Sequence, residues 1–198
     1  MKHIKFRTWV LILLVLLISM TGLTAAKYIN TKTLGGTVTF TAELAQEFYL
    51  LEHVANRQDD GSYQLSDTEY VKSNQQYILI PGLDIPKDPH IVINGKSTNI
   101  PAYLFLEVVD DTPNESLIFS IDESHWIPTT LKTPQHGGTV YVYSTNQSTY
   151  TPIKENHAKI PILTNDKITV SQKLLSGEKT GSLTFYAYLE EASLYKNP

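Results

Sequence analysis

The stretch Ala102-Tyr-Leu-Phe-Leu-Glu-Val108 decides the fold of this chain. It is a mostly apolar run of strand length, bounded by Pro101 on one side and by the acidic Asp110-Asp111 on the other. A run of this kind predicts a central strand that is buried on both faces. Such a segment belongs to the scaffold of a protein, not to an active site.

The rest of the sequence also reads as short strands separated by turns. Residues 37–41 alternate threonine with an apolar residue, which is the period of a half-buried strand. Similar patterns occur at 76–80, 90–93, 103–109, 117–121, Thr139–Tyr143, Lys167–Val170 and 183–189. Turn formers such as Asp59-Asp60-Gly61, Pro81-Gly82 and His136-Gly137-Gly138 separate them. The pattern predicts an all-β fold, with one antiparallel β-sandwich domain over residues 27–198.

Residues 42–53 allow two interpretations. Leu44, Phe48 and Leu51 have helical spacing, but the same stretch can continue as a strand from Phe40. The sequence leaves both open.

The first 26 residues have the organisation of an export signal. Lys2, Lys5 and Arg7 precede an apolar run, and the small residues before Lys27 form a cleavage site. The apolar core from Trp9 to Met20 spans about 18 Å as a helix, short of a hydrocarbon core of about 30 Å. Cleavage between Ala26 and Lys27 is therefore favoured over a retained membrane anchor, and we expect a secreted protein that meets the membrane only through its uncleaved signal.

Net charge disfavours some classes of partner, and the absence of cysteine excludes some kinds of chemistry. Three basic residues and no acidic residue precede Lys27, so cleavage lowers the formal net charge from −4 to about −7. Nucleic acid and anionic lipid are thus poor partners. The absence of cysteine excludes thiol catalysis and thiolate metal sites, and it suits an exported bacterial protein that needs no disulfides.

Motifs for catalysis, cofactors or metals are not found in the sequence. No Gly-x-Ser-x-Gly occurs, and no pair of histidines has the spacing of a zinc-protease helix. The acidic pairs at turns, such as Asp59-Asp60, do not match a calcium loop. We therefore predict no catalytic, cofactor-binding or metal-binding residues, while a hydrolytic site assembled from distant residues stays an alternative.

Tyrosine is the main aromatic residue, with 12 Tyr against 6 Phe and 2 Trp. Alternation places Tyr141 and Tyr143 on one face of a strand, and Tyr186 and Tyr188 on one face of another. Cross-strand packing is the favoured interpretation. A contact surface for glycan or protein is the alternative.

Several segments in order resemble one family of secreted proteins. They are Tyr77-Ile-Leu-Ile-Pro-Gly-Leu-Asp-Ile-Pro-Lys-Asp-Pro89 with His90-Ile-Val-Ile93, then Ala102-Tyr-Leu-Phe-Leu-Glu-Val108, and then Trp126, Val140-Tyr-Val-Tyr143, Asp166-Lys-Ile-Thr-Val170 and Leu183-Thr-Phe-Tyr-Ala-Tyr188. Together with the export signal and Ala26-Lys27-Tyr28, this order resembles the TasA/camelysin-like proteins of Gram-positive bacteria.

The resemblance implies a jelly-roll sandwich, cleavage by a SipW-type signal peptidase, and a structural role as a fibre subunit of the biofilm matrix or cell surface. Camelysin-like members are also classed as metallopeptidases, but this sequence has no metal motif to which that activity could be transferred. We transfer the fold and the structural role only.

A mechanism of assembly follows from the mature N-terminus. Residues 27–45 include 36–41, which contain neither proline nor charge, so they could add as a strand to the sheet edge of a second copy or of a related matrix subunit. Val38 and Phe40 would then fill pockets in that neighbour. The alternatives are that the same strand pairs within its own sandwich, or that the protein is a monomeric binding module for glycan or protein.

Overall fold

The computed structural model describes residues 30–33, 47–71, 74–94, 101–112, 116–153, 155–173 and 182–195. In these ranges the regular structure consists of strands and two short 3₁₀ turns, Thr164–Asp166 and Ala192–Leu194. The strands are β1 (Asn30–Thr33), β2 (Glu47–Leu51), β3 (His53–Arg57), β4 (Tyr63–Tyr70), β5 (Asp84–Pro86), β6 (His90–Asn94), β7 (Ala102–Asp110), β8 (Leu117–Ile118), β9 (Trp126–Pro128), β10 (Thr139–Tyr143), β11 (His157–Pro161), β12 (Lys167–Val170) and β13 (Leu183–Glu191). Among these residues, no helix is long and apolar enough to cross a membrane.

All strand pairs in these ranges are antiparallel, and they form four sheets. The largest sheet has the order β1-β13-β7-β10-β9. Two three-stranded sheets have the orders β11-β6-β2 and β5-β12-β8, and β3 pairs with β4 in a hairpin. The predicted all-β, antiparallel class is confirmed.

Strand β7 lies in the middle of the large sheet, as its sequence predicts. It pairs with β13 over nine residues, from Ala102 opposite Glu191 to Asp110 opposite Leu183, and with β10 on its other edge. Every residue from Ala102 to Val108 is buried. Its backbone is therefore hydrogen-bonded on two edges while its side chains are covered on two faces.

The main core lies between one face of the large sheet and the two three-stranded sheets. Strand β7 contributes Leu104, Leu106 and Val108, which alternate with residues of the opposite face. Other buried members come from β2, β5, β6, β11, β12 and β13, among them Phe48, Ile85, Ile91, Ile160, Val170 and Phe185. This arrangement is a sandwich of sheets packed through their apolar faces.

The opposite face of the large sheet carries a second, smaller cluster. Its buried members are Tyr103, Phe105, Val140, Val142 and Tyr188. The loop over residues 129–138 and the chain end at 192–195 pack against this face, which contacts Leu131, Ala192 and Tyr195. The large sheet is thus covered on both sides.

The strand predicted at residues 76–80 is wrong, because the structure has no strand there. Residues 76–80 alternate between an inward and an outward side chain, with Tyr77 and Leu79 against the core and Ile78 and Ile80 exposed, yet they join no ladder among the described residues. The reason is that side chains replace ladder bonds here, since the N–H of Ile78 donates to the hydroxyl of Tyr63 at 2.8 Å. The side chains of this segment therefore alternate as in a strand, but its backbone is not paired with a neighbouring strand among the described residues.

Other predicted bounds differ less. The segment 117–121 contains only the two-residue strand β8, followed by an isolated bridge between Ile121 and Leu163. In the ambiguous segment 42–53, β2 covers Glu47–Leu51 and β3 begins at His53, with Glu52 as the link between them, while residues 42–46 lie outside the described residues. Residues 37–41 lie outside the described residues.

Replacement of Leu106 by alanine tests the central position of β7. Leu106 is fully buried, so Leu106→Ala is expected to lower the free energy of unfolding by about 2–5 kcal/mol. Leu194 is 54% exposed, and Leu194→Ala is a matched control with an expected loss below about 1 kcal/mol. Urea titration of both variants measures the difference. Equal losses would contradict a core centred on β7.

Candidate functional site

The first strand of the large sheet comes from the segment predicted to mediate assembly. Strand β1 (Asn30–Thr33) pairs with β13, with Asn30 opposite Leu189 and Thr33 opposite Tyr186. This part of residues 27–45 therefore pairs within its own chain in the structure. The cleavage residues Ala26 and Lys27 and the proposed pocket-filling residues Val38 and Phe40 lie outside the described residues.

A buried ion pair joins the link between β2 and β3 to the link between β5 and β6. Glu52 is 1% exposed, and both of its carboxylate oxygens accept hydrogen bonds from Nζ of Lys87, at 2.7 and 2.8 Å. The hydroxyl of Tyr77 donates to the same carboxylate at 3.1 Å. Burial raises the pKa of Tyr77, and the charge of Glu52 raises it further, so this hydroxyl keeps its proton and stays a donor.

Asp88, the next residue after Lys87, binds two histidines. Its carboxylate accepts the backbone N–H of His53 at 2.9 Å and contacts the ring Nδ1 of His53 at 2.8 Å. The backbone carbonyl of Asp88 lies 2.8 Å from Nδ1 of His90. Because both Nδ1 atoms face oxygen acceptors, these hydrogen bonds require a proton on each Nδ1.

The same pair of histidines is flanked by an aromatic ring and a lysine. The ring of Tyr70 stacks on His53 at a centroid distance of 4.4 Å, and the rings of His53 and His90 are 5.9 Å apart. Nζ of Lys159 lies 3.6 Å from the carboxylate of Asp88. Burial raises the pKa of Asp88, but the hydrogen bonds from His53 outweigh this effect and lower it overall. We call Glu52, His53, Lys87, Asp88 and His90 the polar seam.

The chemistry that the polar seam can perform is limited by what surrounds it. A carboxylate bound to Nδ1 of a histidine is the arrangement that orients a general base, but acyl transfer also requires a hydroxyl nucleophile bonded to that base. Within the described ranges, no serine or threonine hydroxyl bonds to His53 or His90. The same ranges contain no group of three or more His, Cys, Asp or Glu side chains that could hold a metal ion. The geometry supports a role in joining strands.

An open groove of about 590 Å³ lies beside the outer edge of β3. The side chain of Gln75 occupies this edge, since its carboxamide accepts the N–H of Ala55 at 3.1 Å and donates to the carbonyl of Ala55. Tyr63 and Tyr77 meet edge to face in the same groove, with a centroid distance of 5.4 Å, and Arg57 also lines it. Amide, guanidinium and aromatic groups therefore converge at one surface.

The structure separates the two predicted tyrosine pairs. Tyr141 is opposite Leu106 and lies with Tyr143 on the main-core face, whereas Tyr186 and Tyr188 lie on the opposite face. Tyr143 and Tyr188 are buried, at 4% and 0% exposure. All four pack against one of the two clusters, in agreement with cross-strand packing. A ligand contact through the partly exposed Tyr141 and Tyr186 stays a prediction.

A buried carboxylate also organises the second face of the sheet. Glu107 is fully buried, and its oxygens accept the backbone N–H groups of Gln135, His136 and Gly138 and the hydroxyl of Tyr188, at 2.7–3.1 Å. The ring of His136 stacks on Tyr186 at 3.7 Å. Burial raises the pKa of Glu107, but these four hydrogen bonds outweigh it and bring the pKa to about 2. The charge of Glu107 thus fixes the loop over the sheet.

Sequence reasoning missed the polar seam and the role of Glu107. It finds no pair of histidines with zinc-protease spacing, and it gives Lys87 and Asp88 only as part of the segment that resembles TasA/camelysin-like proteins. The available signal was the pair of opposite charges in a run that is otherwise apolar and poor in backbone donors. Such charges need partners from elsewhere in the chain when the run is buried.

No family model, curated protein or solved structure matches this chain. The resemblance to TasA/camelysin-like proteins accordingly stays a prediction from the sequence.

Removal of the positive charge from the polar seam should destabilise the fold. Lys87→Met leaves Glu52 buried without a counter-charge, and we expect a loss of about 3–5 kcal/mol in the free energy of unfolding. Lys167 forms an equally short but exposed pair with Asp84, so Lys167→Met is a matched control with a much smaller expected loss. Chemical denaturation measures both. Similar losses in the two variants would contradict the importance of burial.

The depressed pKa of Glu107 predicts acid sensitivity. A carboxyl whose pKa falls from 4.5 to about 2 on folding adds stability above its unfolded pKa, and that stability is lost as the pH falls from about 5 toward 2. The contribution at neutral pH is about 3 kcal/mol.

Glu107→Gln is therefore expected to be less stable than the wild type at pH 7, with a gap that narrows as the pH falls through this window. Thermal unfolding across the pH range measures the gap. Glu123 is exposed, and Glu123→Gln serves as the control with no expected change. A gap that stays constant from pH 7 to pH 3 would show that the charge of Glu107 is not what stabilises the loop.

Proposed function

We propose that this chain is a secreted structural protein, a fibre-forming subunit of a biofilm matrix or cell surface that assembles by strand addition. The observation that carries the proposal is the position of β1, which pairs within its own chain and would support assembly through exchange of this pairing between copies. The edge of β13 in the large sheet is completed by Asn30–Thr33, which belong to the N-terminal segment proposed for assembly. The same pairing between two copies would join one subunit to the next, and residues 36–41, which follow β1 in the connection, would place Val38 and Phe40 in pockets of that neighbour.

Strand exchange of this kind requires a connection that can reach a neighbour. Thirteen residues separate Thr33 from Glu47, and such a length of extended chain covers at most about 45 Å. Because the hydrogen bonds between β1 and β13 are the same within a chain and between chains, exchange costs little enthalpy. A head-to-tail contact whose rotation does not close into a ring produces a filament when the exchange is repeated.

Location and processing are parts of the same proposal. The export signal over residues 1–26 and the resemblance to TasA/camelysin-like proteins support cleavage at Ala26 and Lys27 by a SipW-type peptidase and a role outside the cell. The antiparallel sandwich is compatible with the jelly roll that the resemblance implies. The role proposed for the protein is structural, without catalysis or a cofactor.

Charged substitutions on one face of residues 36–41 test the assembly mechanism. Val38→Asp with Phe40→Asp places two charges on the face that would fill pockets of the neighbour, and filaments of the mature chain are expected to disappear. Thr37→Asp with Thr39→Asp adds the same charge to the other face and is expected to leave filaments in place. Light scattering and electron microscopy measure assembly, while circular dichroism checks that each variant is folded.

Two results would contradict the proposal. A mature chain that stays monomeric at all concentrations excludes a fibre subunit, and equal loss of filaments in both double variants excludes a face-specific strand. Deletion of residues 27–44 provides an independent check, because the remaining chain should fold and stay monomeric.

The groove beside β3 favours a second candidate function, a monomeric extracellular binding module. Its two tyrosine rings, with Asn56, Arg57 and Gln76, combine the aromatic and hydrogen-bonding groups that a glycan or an extended peptide requires. Glycan-array binding that is lost in Tyr63→Ala but kept in Tyr150→Ala, on the opposite side of the large sheet, would favour this candidate.

A further inference from the structure

Lys132 and Glu190 form a second buried ion pair, on the face of the large sheet that carries the smaller cluster. Lys132 lies in the loop over this face, and Glu190 lies near the end of β13. Nζ of Lys132 is 2.5 Å from Oε1 of Glu190, and both side chains are at least nine-tenths buried. The two residues are 58 positions apart in the sequence.

Aromatic side chains surround this pair. Nζ of Lys132 lies 4.4 Å from the centroid of the Tyr188 ring and 6.0 Å from that of Phe105. The hydroxyl of Tyr195 donates to Oε2 of Glu190, the oxygen that Lys132 does not contact. Each carboxylate oxygen of Glu190 thus has a different partner.

We propose that Lys132 and Glu190 become joined by an intramolecular amide bond between Nζ and Cδ. The ammonium first gives one proton to Oε1, which leaves a neutral amine and a neutral carboxylic acid. The amine attacks Cδ, and the negative charge that develops on Oε2 is stabilised by the hydroxyl of Tyr195. A second proton then passes from nitrogen to the Oε1 hydroxyl, the bond between Cδ and Oε1 breaks, and one water molecule leaves. The nitrogen keeps one hydrogen as an amide N–H, so no oxidant or co-reactant is required.

Burial favours this condensation in two ways. Both side chains are at least nine-tenths buried, so water is kept away from the amide once it has formed. Contact in a fixed geometry also replaces an encounter in solution, an effect that corresponds to effective concentrations of about 10⁵–10⁸ M in favourable cases. Burial and Glu190 raise the pKa of Tyr195, so its hydroxyl keeps the proton that it donates to Oε2.

The pair Lys87–Glu52 is equally buried but differs in geometry. Nζ of Lys87 contacts both oxygens of Glu52 at nearly equal distances, 2.7 and 2.8 Å. The hydroxyl of Tyr77 donates to Oε1 of Glu52, an oxygen that Lys87 also contacts, so no separate donor holds an oxygen of Glu52 that the lysine leaves free. Lys87 and Glu52 are therefore expected to remain an ion pair, which makes them an internal control.

Peptide mapping of the purified full-length chain tests the proposal. Trypsin cannot cleave after a lysine whose amine has become an amide, so the linked protein yields residues 97–154 joined to residues 180–196. The mass of this product is the sum of the masses of 97–154 and 180–196 less one water molecule. Tandem mass spectrometry then distinguishes Glu190 from Glu191 as the linked residue. Recovery of 97–132 and 180–196 as separate, unmodified peptides would overturn the proposal.

Variants separate this bond from the ion pair itself. Lys132→Arg keeps the positive charge but cannot form the amide, so the branched peptide is expected to disappear, whereas Lys87→Arg should leave it unchanged. Tyr195→Phe keeps the ring but removes the donor to Oε2, and slower accumulation of the branched peptide after refolding is expected. Should Lys132→Arg fail to fold, the wild-type map still decides the question. The bond lies within one subunit, so the result does not depend on assembly.

Discussion

The burial of strand β7 on both faces is the constraint on which the rest of the structure depends. Its backbone is paired with β13 and β10, and its side chains enter two separate clusters. One face is covered by the smaller sheets, and the other requires the loop at 129–138 and the chain end at 192–195. Because Glu107 lies within this strand, the cover must also supply hydrogen bonds to a buried charge.

Three buried glutamates of the described structure are compensated in two ways. Glu52 and Glu190 each contact a lysine and a tyrosine hydroxyl, whereas Glu107 accepts hydrogen bonds mainly from backbone N–H groups and from the hydroxyl of Tyr188. Each set of partners comes from a different part of the chain. A buried, compensated glutamate adds little net stability compared with apolar packing. A loop placed so that it does not supply the partners leaves that carboxylate buried and uncompensated, which is strongly destabilising. The three glutamates therefore specify how the loops lie on an otherwise apolar sandwich.

The sequence predicts the strands well where alternation and burial agree, and less well where side chains replace backbone partners. Strands β10 and β12 have their predicted bounds because each is a short run of alternating residues between turns. Residues 76–80 have the same alternation, yet Tyr63 takes the bond that a neighbouring strand would make. The polar seam could not be predicted, because Glu52 and Lys87 are 35 residues apart and nothing local links them. Similarly, the opposite faces of Tyr141 and Tyr186 follow from the register of their strands with β7.

Gln75 has a consequence for how copies of this protein can meet. A strand at the edge of a sheet exposes a row of unsatisfied peptide groups, and such a row invites uncontrolled pairing with other chains. The carboxamide of Gln75 has the same donor and acceptor as a peptide unit, and it binds Ala55 as a neighbouring strand would. It occupies the position at Ala55 that a strand of another chain would need. Because the peptide groups of Ala55 are already satisfied, a strand of another copy gains no backbone hydrogen bond from this residue, which disfavours aggregation through β3.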